Sequence, residues 1–159
     1  MFLGEALNKL KNLKSRAART EEYIAAAVIY YEDVRPDYNY EEEMRNRSKI
    51  NEEIIELKTR IQITNSSTVV DHNGIKLTLS ELILRNAQLR IEMAFIKKQM
   101  DQSISEKSIF SSRTKDEIKK VFALGYDKAS FKKEFNRLEE RKEEIEKVLA
   151  NANSSTILL

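Results

Sequence analysis

Between residues 60 and 82 one helical pattern stops, a tight turn intervenes and a second helical pattern starts. In this stretch, RIQITNSSTVVDHNGIKLTLSEL, Asn65 tolerates the left-handed conformation that often closes a helix. Thr68, Val69 and Val70 are β-branched and suit a strand. Asp71, His72, Asn73 and Gly74 supply turn chemistry, with Gly74 free to take positive φ. Ile75, Lys76 and Leu77 return antiparallel. Thr78 and Glu81 have the spacing of a capping box, which starts the next helix. Whatever the chain folds into, two long helices must enter and leave a small hairpin here.

The remaining pattern is helical. Only 3 Gly and 1 Pro interrupt 159 residues, too few for many strands. Leu3, Leu7, Leu10, Ala17, Ile24, Val28 and Tyr31 mark an apolar stripe, with Ala6 and Leu13 beside it, and predict a helix over 3–31 ended by Pro36. Asn39 is placed to cap a second helix over 40–64. Its stripe is Met44, Ser48, Asn51, Ile54, Leu57 and Ile61; Ser48 and Asn51 weaken the upper half, which could face a polar partner or water. The third helix, 79–102, carries Leu82, Asn86, Leu89, Met93, Ile96 and Met100 at alternating intervals of four and three, as in a coiled coil. Residues 103–113 read as a loop, and 114–124 are left open between helix and strand. Asp127 can cap a last helix, whose stripe is Phe131, Phe135, Leu138, Lys142, Ile145 and Leu149. The expected fold is mainly α: four long amphipathic helices in antiparallel hairpins, a small β-hairpin near 68–77, and a core completed by oligomerisation. As one domain over 1–159, it divides into a helical hairpin (1–65), the β-hairpin (66–77), a second helical hairpin (78–153) and an apolar tail (154–159).

Composition narrows the function classes. There is no cysteine, so disulfides and thiolate metal sites are excluded, and a reducing, cytoplasmic setting is expected. The first fifteen residues are charged by Glu5 and lack the apolar centre of a signal peptide. No apolar run approaches the ~18 residues of a membrane span. A formal net charge of +2 is too small to point to nucleic acid. The charge is unevenly placed, however. Residues 1–20 hold five basic groups against Glu5, and residues 21–43 hold eight acidic groups against Arg35. Two solvated faces explain this split most simply.

Two helix ends echo each other: Asn65-Ser66-Ser67-Thr68 recurs as Asn153-Ser154-Ser155-Thr156. Either the two helices stop alike, or two helical hairpins are related by pseudo-symmetry and Thr156, Ile157 and Leu158 pair beside the β-hairpin. The succession RIQITNSST, a Gly turn, TLSELILRNAQL, RTKDEIKKV and IEKVLANAN resembles the small bacterial and phage family labelled septicolysin-like. The resemblance covers nearly the whole chain in the same order. The family pattern usually has Trp after the final Asn, where this chain has Ser154. The resemblance implies a long-helix, oligomeric fold with a small β element. The family name suggests a cytolysin, but the sequence offers no membrane-length segment, secretion signal or thiol for that role.

No catalytic pattern stands out. His72 is the one histidine and sits beside Asp71 in turn chemistry. Walker loops, GxGxxG, His-Glu-x-x-His and a Ser-His-Asp order are missing. The carboxylate runs, such as 41–43 and 139–144, read as solvated helix surface. Two constellations could bind. Tyr23, Tyr30, Tyr31, Tyr38 and Tyr40 crowd around Arg35, and tyrosine offers a flat apolar face with a hydroxyl. Arg85 and Arg90 flank the polar seam at Asn86, while Arg113, Lys115, Lys119 and Lys120 cluster before the last helix; arginine grips phosphate or carboxylate through paired hydrogen bonds. Helix-end packing and surface solubility account for the same residues without a ligand.

The expected function is non-enzymatic. A homo-oligomer would hold a small anionic ligand, a phosphorylated or nucleotide-derived compound being the candidate, with Arg85, Arg90, Arg113, Lys115, Lys119, Tyr31, Arg35 and Tyr38 as contacts and no cofactor or metal. In a phage such a protein could act as a sponge for a host nucleotide signal. The alternative is a structural or protein-interaction module, such as an antitoxin-like partner, for which the seam Asn86 and the apolar tail speak equally.

Overall fold

The computed structural model describes residues 1–34, 36–101, 125 and 127–159. The expected loop over 103–113 and the open stretch 114–124 lie outside them. Among the described residues the elements are α1 (Leu3–Val28), α2 (Tyr40–Ser67), β1 (Val69–His72), β2 (Ile75–Thr78), α3 (Leu79–Met100) and α4 (Lys128–Ser155). The fold is mainly helical, with one two-stranded antiparallel sheet. Two compact units form: Met1–Glu81 together with Leu149–Leu159, and Leu82–Val148.

Helix starts follow local chemistry. Asn39 Oδ1 accepts from the Glu42 N–H at 3.0 Å and caps α2. Thr78 and Glu81 form the expected box: the Thr78 hydroxyl accepts from Glu81 N at 3.2 Å, and the Glu81 carboxylate accepts from Thr78 N at 2.7 Å. Asp127 accepts from the backbone of Ala129 and Ser130 at 3.0 and 3.1 Å and starts α4. The Ser130 hydroxyl, then these two N–H groups, hold its carboxyl below the usual aspartate range.

Helix ends differ from expectation. α1 stops at Val28, before Tyr31. α2 runs through Asn65 to Ser67, so Asn65 is helical and closes nothing. A left-handed cap is not needed there, because Thr68 N donates to Thr64 O at 2.9 Å and the Ser67 hydroxyl donates to Ile63 O at 2.8 Å. The second Asn-Ser-Ser-Thr stretch behaves alike: Thr156 N donates to Ala152 O, and Ser155 Oγ to Asn151 O, both at 2.8 Å.

The hairpin pairs Val69 with Thr78, Val70 with Leu77, Asp71 with Lys76 and His72 with Ile75. Its turn is therefore two residues, Asn73 and Gly74, both at positive φ (54° and 79°), the twist that suits a tight hairpin. Asp71 Oδ1 accepts from Gly74 N at 3.0 Å, which gives Asp71 a turn role. A Cβ on Gly74 would meet nothing within 4 Å, so only backbone conformation opposes substitution there. Gly74→Val should cost about 1–2 kcal/mol and Gly74→Asn distinctly less, since Asn tolerates this region. Urea midpoints check this; equal midpoints for both variants and the parent would mean the turn is misassigned.

In the first unit α1 and α2 pack antiparallel, with Glu21 accepting from Arg47 Nε at 3.1 Å near one end. The buried stripe of α1 is Leu3, Ala6, Leu13, Ala17, Thr20 and Ala27, with Leu10 packed against it. Leu7, Val28 and Tyr31 are exposed, contrary to the expected stripe. The apolar residues of α1 form two candidate stripes one position apart. The one with small residues wins, because it lets the helices approach closely. α2 buries Ile50, Leu57, Ile61 and Thr64; Ser48 and Asn51 point outward, in keeping with a polar upper half, and Met44 is exposed with them. Buried Thr20 and Thr64 satisfy their hydroxyls on the carbonyls of Arg16 and Arg60, at 3.0 and 2.8 Å.

The tail closes this unit. Leu3 N donates to Thr156 O at 2.8 Å and Leu158 N to Met1 O at 3.0 Å, so Ile157 bridges to Phe2. The tail thus pairs with residues 1–3, and the alternative of pairing beside the β-hairpin is not what forms. Leu159 is held by Thr64 Oγ1 and by Arg60 Nε, at 3.0 and 2.7 Å. Leu158 is buried with Leu3, Leu79 and Ala152. Gly4 allows the close approach: a Cβ there would sit 3.0 Å from the carbonyl oxygen of Asn153.

In the second unit Leu82, Asn86 and Leu89 of α3 and Leu138 and Ile145 of α4 are buried, as the four-three spacing predicts. Asn86 donates to Glu146, while its Oδ1 is buried without a partner. Glu146 also accepts from Arg90 at 2.7 Å and Lys142 at 3.1 Å. Arg90, then Lys142, hold its carboxyl below the usual glutamate range. A lowered folded-state pKa stabilises above the unfolded value and is lost as pH falls through the folded one. Acid should therefore weaken this unit as pH drops below the ordinary glutamate range. Glu146→Gln should flatten that limb, by less than about 1 kcal/mol because the pair is exposed. Urea titrations at several pH values, parent against variant, read the difference.

Candidate functional site

In the first unit a cleft of about 420 Å³ opens along α1 and α2. Its walls are Arg16, Arg19, Thr20 and Tyr23 from α1, and Asn46, Lys49, Ile50 and Glu53 from α2. Each set has helical spacing, so each lies on one face of its helix. The cleft exists because the α1 seam thins here. Leu13 gives way to Ala17 and Thr20, which fill less volume between the helices than leucine would.

The electrostatics are one-sided. Three cations face one carboxylate, Glu53. Arg45, Arg47 and Arg90 all have carboxylate partners. Among the described residues Arg16, Arg19 and Lys49 have none. Arg47 is further occupied by a hydrogen bond to Asn51. Tyr23 lines the cleft and stacks on Tyr38, with ring centroids 4.2 Å apart and planes 13° from parallel. Burial, then the Tyr23, Asp37 and Glu43 charges, push the Tyr38 hydroxyl above its ordinary pKa, so it stays a neutral donor. The arrangement offers cations, an amide and a phenol, and no nucleophile with a base. No group of three His, Cys, Asp or Glu able to hold a metal occurs among the described residues. Nor is any described helix long and apolar enough to cross a membrane.

The model of a family of unknown function, DUF6847, matches residues 10–158. The chain belongs to that family. A crystal structure of a functionally unknown conserved protein from Corynebacterium diphtheriae has the same fold as this DUF6847 chain, at a TM-score of 0.83. The two are 21% identical over 100% of this chain and 99% of that one, a likeness that speaks for fold alone. No curated protein matches the chain.

The expected ligand contacts of this DUF6847 chain that the structure describes are Tyr31, Tyr38, Arg85 and Arg90. Tyr38 is brought against Tyr23, one residue from the crowd named in advance. Tyr31 lies past the end of α1 and is 81% exposed. Arg85 is exposed on α3, and Arg90 is committed to Glu146; both belong to the second unit. Arg35, Arg113, Lys115 and Lys119 lie outside the described residues. Sequence reasoning passed over Arg16, Arg19 and Lys49. Their signal was the basic excess of residues 1–20, which reads equally well as solvated surface until α2 adds Lys49.

Proposed function

We propose that this protein binds a small anionic ligand without transforming it, and that the α1–α2 cleft is the site. Arg16, Arg19 and Lys49, none in an ion pair among the described residues, surround one cavity and carry the reading. Three cations against the single carboxylate of Glu53 leave the wall net positive, and an anion offsets that excess. The cavity lies within the size range of small-ligand sites, and the Tyr23–Tyr38 stack offers a flat face at its rim. A phosphorylated, nucleotide-derived compound fits these groups. Sequestration of such a compound, as a phage sponge would do, is the biological form of the proposal. Homo-oligomeric assembly and a reducing, cytoplasmic setting are proposed beside it, and binding in the cleft does not depend on them.

Calorimetric titration with nucleotides, cyclic dinucleotides and ADP-ribose derivatives tests it, alongside native mass spectrometry of the protein gently purified from cells. Charge-assisted contacts are worth roughly 1.5–3 kcal/mol each, so Lys49→Ala should weaken binding at least about tenfold with an unchanged circular dichroism spectrum. If the panel does not bind and no small molecule co-purifies, the cleft reading fails. The second reading, an interaction module, then takes over; the apolar outer face of α3 supports it.

A further inference from the structure

We infer that the outer face of α3 is a self-recognition surface, on which a second copy of this chain pairs antiparallel across a twofold axis. α3 carries two apolar stripes, and among the described residues only the inner one is buried. The inner stripe contains the buried Leu82, Asn86 and Leu89. The outer stripe runs Leu84, Gln88, Ile91 and Phe95, again at intervals of four, three and four. Its large residues are bare: Leu84 is 69% exposed, Ile91 62% and Phe95 61%. The apolar surface continues into a groove of about 740 Å³ between Ile91 and Phe95 of α3 and Phe131 and Leu138 of α4. A helix that is apolar on two sides has places for two partners.

The flanks of the outer stripe say which partner and which direction. One edge carries Arg85 and Glu92, two turns apart, opposite in sign and both exposed. Among the described residues neither is in an ion pair. The other edge carries Ala87 and Ala94, small enough for a close helix approach. In an antiparallel pair, Leu84 of one copy meets Phe95 of the other, and Gln88 meets Ile91. The same register sets Arg85 beside Glu92 of the second copy, and the twofold axis makes this contact twice. Parallel pairing would set Arg85 and Glu92 beside Ser80 and Ala87 of the second copy, with no charge matched. The face is thus complementary to itself in one orientation, as an isologous interface requires. Arg85 recognises a protein carboxylate there, in place of the small anion expected from the sequence.

Sedimentation equilibrium of the full chain tests the inference without any ligand, so its failure leaves the cleft proposal standing, and the reverse holds. The parent should have twice the 18.5 kDa chain mass at low micromolar concentration. Arg85→Glu and Glu92→Arg should each raise the dimer dissociation constant at least about tenfold, by placing like charges opposite one another. The double variant should recover the parent value. Ile91→Asp with Phe95→Asp should give a monomer with an unchanged circular dichroism spectrum. A monomeric parent overturns the inference and leaves the face to a different partner. A dimer indifferent to all these changes overturns the surface, and two disruptive single reversals without recovery in the double overturn the antiparallel register.

Discussion

Leu3→Ala should lower the unfolding free energy by about 3–5 kcal/mol, the upper part of the range for a buried leucine. Leu3 is 1% exposed and shares its cluster with Ile61 of α2, Leu79 of α3, and Ala152 and Leu158 near the end of the chain. The cost of such a truncation depends on how far the surroundings can collapse into the space. Here they are pinned. Leu3 N is bonded to Thr156 O and Leu158 N to Met1 O, and Thr64 and Arg60 hold Leu159. Moving any one segment inward would break a backbone hydrogen bond elsewhere. At roughly 2–4 °C per kcal/mol for a chain of this size, the melting temperature should fall by about 10 °C. Leu7→Ala is the control, because Leu7 is 39% exposed on the same helix and should cost under about 1 kcal/mol. Equal losses from the two would mean that α1 is rotated from the orientation described.

Reversing the cleft, by Arg16→Glu with Arg19→Glu, should separate binding from stability. Affinity for any member of the anion panel should drop by more than about a hundredfold, since two attractive charges become repulsive. The melting temperature should hold. Neither arginine is in an ion pair among the described residues, and the reversal only exchanges three cations facing Glu53 for three carboxylates facing Lys49. Arginine and glutamate are also similar helix formers. Lost binding at an unchanged melting temperature marks cations kept for a ligand, whereas structural cations would lose stability on reversal. Raising salt from about 0.05 to about 0.5 M should weaken parent binding, because an open cleft is screened. Calorimetry and a thermal melt on the same samples give both answers. A melt that falls by several degrees would make these arginines part of the scaffold.

The residues that behaved as read are those whose partners lie within three or four positions. Asn39, Thr78 with Glu81, and Asp127 start their helices because a side-chain oxygen needs only the next turn to find its N–H. Asn73 and Gly74 turn the chain through their own φ preferences. The inner stripe of α3 also emerged directly, since its four-three spacing is unbroken from Leu82 to Met100. The same spacing hid the outer stripe, which needed the exposure of Leu84, Ile91 and Phe95 to be seen as a separate face.

Tertiary structure decided what spacing left degenerate. In α1, Ala6 and Leu7 are adjacent and both apolar, so which one enters the core depends on how near α2 can come. Met44 of α2 stays outside the core for the same reason: helix rotation answers to the partner surface. The tail chose residues 1–3 over the hairpin, and Arg60 reached Leu159, 99 positions away, through contacts no local pattern encodes. The cleft is the clearest case. Arg16, Arg19 and Lys49 are ordinary surface cations in one dimension. They become the walls of one cleft because Ala17 and Thr20 leave room between the two helices that carry them.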